Sequence, residues 1–444
     1  MKLIRFLGAA GEVTGSGYLL TTDNGDTYLV DLGMFQGNPE SEDLNFAPLD
    51  FDVSSLKAVF LTHAHIDHCG RLPLLFKQGY QGSVYATKPT QDIAHISLLD
   101  SAKIAKLEHP QLDVYDKDDV QAVFENTEVV GYGEEFEVGS LKVIYRDAGH
   151  ILGSASIVIS EGDERIVFSG DLGNTPQDLI KPTEYIERAS TVVMESTYGD
   201  SVHPQEDTDA VLLSEINEVE KTNGVLLIPA FSVERTQELL HIIGHLKSRG
   251  VVEAQTPVYV DSPMAIKITE VFKKYPNMYN SELANDEHPF EFEGLKFTKR
   301  AYESKAIHEY SGAKVVIAGS GMMSGGRIIH HLHNYLSLPS TRLLIVGYQA
   351  EGTLGREIEG GAEYVEVKGE NIPVRATITR IHSMSSHADQ PRLLHWLKEI
   401  DGVKQVFIVH GEEDARAVLT EKIKEQIELS DIVLPLMNEV HEVV

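Results

Sequence analysis

The run Leu56-Lys57-Ala58-Val59-Phe60-Leu61 passes directly into Thr62-His63-Ala64-His65-Ile66-Asp67-His68-Cys69-Gly70. An apolar strand thus ends on four metal-ligand side chains within six residues. The two-residue repeat of a strand puts His63 and His65 on the same side. The loop then brings Asp67 and His68 to a neighbouring position, which suits two adjacent metals better than one. A structural zinc site would draw on several cysteines, and the chain has one, Cys69. The competing reading is a polar helix N-cap at Thr62 or Asp67.

Two further strand ends extend the pattern. Asp147-Ala148-Gly149-His150-Ile151-Leu152-Gly153-Ser154 places a histidine in a glycine-bracketed turn, and Phe168-Ser169-Gly170-Asp171-Leu172-Gly173 ends another strand on an aspartate. On this reading His63, His65 and His150 hold one ion, Asp67 and one further histidine help hold the other, and Asp171 bridges them. Asp31, at the end of the strand 27–30, is an acceptor that orients a ligand histidine.

The 444 residues suggest two or three domains and ample buried core, and 42% hydrophobic with 24% charged residues excludes disorder. Collagen-like and low-complexity classes are excluded as well. No window approaches the ~20 apolar residues of a membrane span, no signal peptide is evident, and a single cysteine suits a reducing cytosol; the expected location is cytoplasmic. Lys and Arg total 38 against 68 Asp and Glu, a net charge of −30, which argues against indiscriminate nucleic-acid binding. Residues 1–200 read as short strands with turns between them, including a hairpin at Asn24-Gly25, and with helices over 90–107 and 117–125. From about residue 205 strands and helices alternate (225–228, 257–260, 314–318 and 342–346 as strands), the pattern of a parallel sheet. The acidic stretch 281–294 reads as a loop or cap element. Helices over 390–400 and 413–427 flank a strand at 405–409.

Taken together, the ligand residues resemble the metallo-β-lactamase superfamily, with its His-x-His-x-Asp-His signature and later His and Asp. Val193-Met194-Glu195-Ser196-Thr197-Tyr198-Gly199-Asp200, Ser385-Ser386-His387-Ala388-Asp389 and Ile408-Val409-His410-Gly411-Glu412 are similar to the three extra motifs of its β-CASP branch. That branch holds bacterial and archaeal ribonucleases and the nuclease subunit of the cleavage and polyadenylation specificity factor. The resemblance implies an α/β fold: a four-layer αββα metallo-β-lactamase domain from residues 1–205 and 373–444, with an inserted α/β, parallel-sheet β-CASP domain over 206–372 and the active site in the cleft between them. It also implies His410 as the remaining ligand of the second metal, where DNA-processing members carry valine. Met384 and Ser386 depart from relatives that show Phe and Gly or Ala. With no KH-like or C-terminal extension, both monomer and homodimer remain open.

Phosphodiester hydrolysis needs a nucleophile, charge neutralisation and a proton for the leaving oxygen. Two Zn2+ ions per chain, with Mn2+ as the alternative, are expected to supply the first two from ~3.5–4 Å apart. Asp67, His387 and Glu195 are the expected catalytic residues: His387 as general acid, and Glu195 as the carboxylate that orients its ring and favours its protonated form. The competing role for His387 is a cap near the helix that starts at Asp389. The turn Gly319–Arg327 opens a helix, so Ser324, Gly325 and Gly326 are expected to hold an RNA phosphate with Arg327 and Arg356 adding charge; a tight packing turn is the competing reading. His241, His330, His331, His333 and His395 read as surface or packing residues, His203 and His382 as cleft-lining, and Cys69 as a small buried residue. The expected function is a zinc-dependent, endonucleolytic ribonuclease acting on single-stranded RNA and leaving 5′-phosphate and 3′-hydroxyl ends. The alternatives are a 5′-exoribonuclease and a hydrolase of a small anionic thioester or phosphodiester. A non-catalytic RNA scaffold is disfavoured because every ligand position is filled.

Overall fold

Ile4, Phe6, Tyr18, Leu20, Tyr28, Val30, Ala58 and Phe60 occupy alternate positions of four short strands, so the pleat sends all of them to one face. In the computed structural model that face meets Leu141, Val143, Tyr145, Ile157, Ile159, Ile166, Phe168, Val193 and Phe407 in a single buried cluster. Two sheets therefore stack face to face. Slipping any of these strands by one residue would turn its apolar set outward, at roughly 1.5–3 kcal/mol for each large side chain, so the alternation fixes the register. The structure describes the chain apart from residues 38, 109, 113, 175–178 and 351 and the side chains of residues 39, 40 and 108.

The chain divides into two units, Met1–Val202 with Ser386–Val444, and His203–Ser385. The first holds two seven-stranded sheets. In one, Gly17–Thr21 and Thr27–Val30 form the hairpin expected at Asn24-Gly25, with Tyr18 opposite Val30. Strand Thr27–Val30 then pairs in parallel with Leu56–Phe60, and the late strand Val440–Glu442 closes the far edge against Leu3–Gly8. The second sheet runs from Glu135–Val138 through Leu141–Asp147, Ala155–Glu161, Glu164–Phe168 and Thr191–Met194 to Gln405–Ile408 and Asp431–Val433. Its outer face, with Val158, Val167, Val192, Met194 and Ile408, is covered by Leu393, Trp396 and Leu397 of helix Gln390–Lys398 and by Leu419 and Ile423 of helix Glu413–Ile427. Helix Lys88–Glu108 packs beside Thr127–Val129 at the edge of the first sheet, and Lys117–Glu125 packs on that helix. The order is helix, sheet, sheet, helix.

The second unit is built on a six-stranded sheet, all of whose pairings are parallel. Val225–Pro229 and Lys314–Ala318 are buried along their whole length, as strands covered on both faces must be. The expected exit from this domain at residue 372 differs from the division at Ser385. The reason is strand Thr377–Arg380, which pairs in parallel with Thr341–Ile345. Buried Glu215, on helix Thr208–Thr222, ties both strands down by accepting from Arg342 Nη2 at 2.8 Å and from Thr379 Oγ1 at 3.0 Å.

One close approach positions the ligand loop. Leu32 N donates to His68 O and Met34 N to Ile66 O, both at 2.9 Å, so the segment 32–34 runs flat against the short helix Ile66–Cys69. A Cβ on Gly33 would lie 1.5 Å from the Asp67 carbonyl oxygen. Only hydrogen fits there. Gly33→Ala should therefore displace the loop and lower stability by about 1–3 kcal/mol or more, read as a fall in Tm together with reduced metal content of the purified chain.

Candidate metal centre

Five of the seven expected ligands sit just beyond the C-terminal end of a strand of the first unit, and Asp67 and His68 lie on the short helix Ile66–Cys69. His63 and His65 follow Leu56–Phe60, His150 follows Leu141–Asp147, Asp171 follows Glu164–Phe168, and His410 follows Gln405–Ile408. The structure brings them together in two groups. One ligand atom each from His63, His65, His150 and Asp171 lies within 4.8 Å of the others, and the same holds for Asp67, His68 and His410.

Asp171 faces both groups. Its Oδ2 lies 3.4 Å from His63 Nε2 and 3.5 Å from His150 Nε2, while its Oδ1 lies 3.3 Å from His68 Nε2 and 3.6 Å from His410 Nε2. His65 turns its Nδ1 inward, 3.2 Å from His63 Nε2 and 3.1 Å from His150 Nε2. Ligand atoms around a tetrahedral zinc lie about 3.3 Å apart, given bonds of ~2.0–2.1 Å. The observed spacings match.

The outer partners of four histidines set their tautomers. His150 Nδ1 is 3.1 Å from the Ser386 carbonyl and His68 Nδ1 is 2.8 Å from Asp31 Oδ2, so in both rings Nδ1 carries the proton and donates it. Thr62 Oγ1 donates to Asp31 Oδ2 and accordingly accepts from His63 Nδ1 at 3.0 Å. Thr197 Oγ1 donates to the His410 carbonyl and accepts from His410 Nδ1, also at 3.0 Å. All four rings thus aim an Nε2 toward the centre, the orientation that metal-bound histidines derive from such partners. Asp31 and His410 both adopt left-handed backbone conformations, φ 57° and 49°. Such strain costs of order 1–3 kcal/mol in a non-glycine residue and gathers at functional sites.

Burial and mutual repulsion keep most of these rings neutral. Burial, then the nearby His68, lowers His63 to about 3; burial lowers His65 to about 4 and takes His150 well below the ordinary histidine value. His68 goes the other way, because the carboxylates of Asp171 and Asp31 outweigh its burial. Oδ1 of Asp171 is buried and accepts no hydrogen bond. The neutral nitrogens of His63, His65 and His150 beside the Asp171 carboxylate, and a His68 ring held charged by carboxylates that a cation would satisfy instead, fit a divalent metal in each group.

A third group shares the same aspartate. Glu195, 1% exposed, accepts from Leu172 N at 2.7 Å and Thr197 N at 3.2 Å, and its two oxygens lie 3.2 and 3.3 Å from His387 Nδ1. His387 Nε2 lies 3.9 Å from Asp171 Oδ2. The cap of helix Gln390–Lys398 is Asp389, whose side chain accepts from Arg392 N, so the capping reading of His387 falls away. Burial opposes the charge on His387, yet Glu195 and then Asp171 raise its pKa to about 9.

The phosphate-turn residues belong to the other unit. Ser324 and Gly326 are exposed and Gly325 half-buried, but two turn amides are already committed, Ser320 N to Gly325 O and Ile328 N to Gly319 O. Gly326, at φ +73°, would put a Cβ 2.4 Å from the Gly319 oxygen, so the turn is also a packing device. Arg327 corrects the expectation of a spare positive charge. Its Nη1 donates to buried Asp261 Oδ1 at 2.6 Å and to Thr298 O, and its Nη2 to Lys299 O. Arg356 remains half exposed, 3.8 Å from Glu359; Glu351, in the same motif, lies outside the described residues. Sequence reasoning missed Thr62, Thr197 and the Ser386 carbonyl as histidine partners, although all three adjoin or lie within the motifs it singled out.

Fold and ligand set together define a metallo-hydrolase. Family models match along the chain: the metallo-beta-lactamase superfamily over residues 10–201, the Beta-Casp domain over 236–358, and the Zn-dependent metallo-hydrolase RNA specificity domain over 371–435. The chain belongs to the metallo-β-lactamase superfamily, in its β-CASP branch, and that membership implies divalent-metal binding. Ribonuclease TTHA0252 of Thermus thermophilus is 39% identical over 419 residues, 93% of this chain and 94% of that protein. Transcription termination factor FttA of Methanocaldococcus jannaschii is 32% identical over 432 residues, 92% of this chain and 67% of the relative. A crystal structure of a protein of unknown function from Enterococcus faecalis shares the fold, with a TM-score of 0.56 at 12% identity over 100% of both chains. Among the described residues no helix is long and apolar enough to cross a membrane.

Because the raised pKa of His387 rests on Glu195 before Asp171, Glu195→Gln should bring it down from about 9 toward the ordinary histidine value in metal-free protein. Histidine-resolved NMR titration checks this. A raised histidine pKa stabilises the fold below its unfolded value and loses that contribution as pH rises through about 9, so the variant should also flatten the pH dependence of Tm between those limits.

Proposed function

We propose that this chain is a metal-dependent ribonuclease that cleaves single-stranded RNA internally, leaving 5′-phosphate and 3′-hydroxyl ends. The observation that carries the reading is Asp171, whose two oxygens face two separate ligand groups at 3.3–3.6 Å while His387 Nε2 stands 3.9 Å from one of them. His63, His65 and His150 would hold one ion and Asp67, His68 and His410 the other, with Asp171 placed to serve both. When bound, two divalent ions, assigned here as zinc, lower the pKa of water and neutralise the phosphate. Asp67 keeps the second group anionic and helps to orient the attacking water. The P–O3′ bond breaks as water adds to phosphorus, His387 hands its Nε2 proton to the departing O3′, and the proton the water loses passes to solvent, from which the His387 ring is recharged. Glu195, pinned by two backbone amides, holds Nδ1–H of the same ring.

The ribonuclease name of one relative, the termination-factor name of another and the RNA-specificity match over residues 371–435 support RNA as the substrate. With a net charge of −30 the general field repels RNA, so contacts must be local. Ser324, Gly325, Gly326 and Arg356 are the proposed phosphate contacts. Arg327, committed to Asp261, is not among them.

Labelled RNA tests the reading. A 5′-labelled and a 3′-labelled single strand should both yield internal fragments with the stated ends, while a stable duplex and a matched DNA resist. Stepwise loss of mononucleotides from the 5′ end would reassign the enzyme as an exonuclease. Ends with 2′,3′-cyclic phosphate, or thioester hydrolysis without RNA cleavage, would overturn the proposal.

Variants separate the roles. His387→Ala should slow cleavage ~10²–10⁴-fold and leave metal content intact. Elemental analysis should find at least two zinc ions per wild-type chain. His410→Ala should lose one of them and Asp171→Asn should weaken both.

A further inference from the structure

Helix Arg235–Ser248 carries His241 and His245 four residues apart, hence on one face. Their rings meet with centroids 4.1 Å apart at 57°. His241 is 4% exposed; the His245 side chain is 40% exposed and reaches Asp286, with Nε2 3.8 Å from Oδ2. One ligand atom each from His241, His245 and Asp286 lies within 4.8 Å of the other two. The aspartate is held in position: its Oδ1 accepts from His288 N at 2.9 Å, and its own N donates to Leu283 O. That leaves Oδ2 for the histidine face. Phe292, farther along the same acidic stretch, lies against Gly244, where a Cβ would come within 3.2 Å of its ring. The stretch 281–294 is thus docked on the helix beside the two histidines.

We propose a separate mononuclear site here for a borderline divalent transition ion such as Zn2+, Co2+ or Ni2+, bound by His241, His245 and Asp286. Two imidazoles and a carboxylate are the donors such ions prefer, and paired histidines four apart on a helix present nitrogens to one ion. The 3.8 Å gap between His245 and Asp286 needs to close only slightly to reach the about 3.3 Å between ligands of a tetrahedral ion. Three protein ligands leave a fourth position to solvent. The ion clips the acidic stretch to the helix and takes no part in RNA cleavage.

Equilibrium dialysis of the full chain against Co2+ tests the site. Wild type should bind one more ion per chain than His245→Ala or the near-isosteric Asp286→Asn, with the two variants cleaving RNA at the wild-type rate and giving an unchanged circular dichroism spectrum. The Co2+ absorption difference between wild type and Asp286→Asn should show the ligand-field bands of this site alone. His288→Ala, which alters a 72% exposed neighbour, should keep the ion. Equal ion counts in wild type and both variants would overturn the proposal. So would loss of the ion in His288→Ala, or loss of RNA cleavage in step with the ion.

Discussion

The carboxylate of Asp171 is the constraint on which the centre depends. Imidazoles crowded with inward lone pairs repel one another, and a buried polar atom without a partner costs about 1–3 kcal/mol. Asp171, 2% exposed, stands among His63, His68, His150, His387 and His410 with one oxygen toward each ligand group. The backbone accepts further strain nearby, with left-handed Asp31 and His410. Sheets whose registers are fixed by alternate large side chains hold this arrangement in place. The sandwich serves the site by bringing strand ends from distant parts of the chain to one rim.

The rim explains why the outer partners matter as much as the ligands. Thr62, Thr197, Asp31 and the Ser386 carbonyl each hold a ring nitrogen on the side away from the centre. Glu195 does the same for His387 while itself held by two amides. Rings oriented in advance lose little conformational freedom when an ion or a phosphate arrives. The left-handed turn at His410 allows its ring to face Asp67 and Asp171 together.

Much of this was legible in local patterns. A strand running into His63-Ala64-His65 is read by the two-residue pleat, and Asn24-Gly25 between alternating runs marks its hairpin. What escaped was tertiary. Arg327 looked like a spare cation because its partner, Asp261, lies 66 residues earlier, where spacing says nothing. Strand Thr377–Arg380, only partly buried, joins the second unit by pairing with a strand more than 30 residues before it, which local pattern does not reveal. His241 is buried, as a packing residue should be, but its neighbour Asp286 comes from a loop that carries no periodic signal.

The chain order of the ligands bears on how the protein is made. His410 pairs with Asp67 across 343 residues, and its strand, Gln405–Ile408, is inserted between Thr191–Met194 and Asp431–Val433 after the whole second unit has been synthesised. At ~5–20 residues/s a ribosome needs roughly 20–70 s to cover that interval. Once Asp171 has followed, a nascent chain holds one ligand group complete and the other open until His410 emerges. A polypeptide that emerges beside the message encoding it therefore cannot complete its metal centre until the codon for His410 has been read.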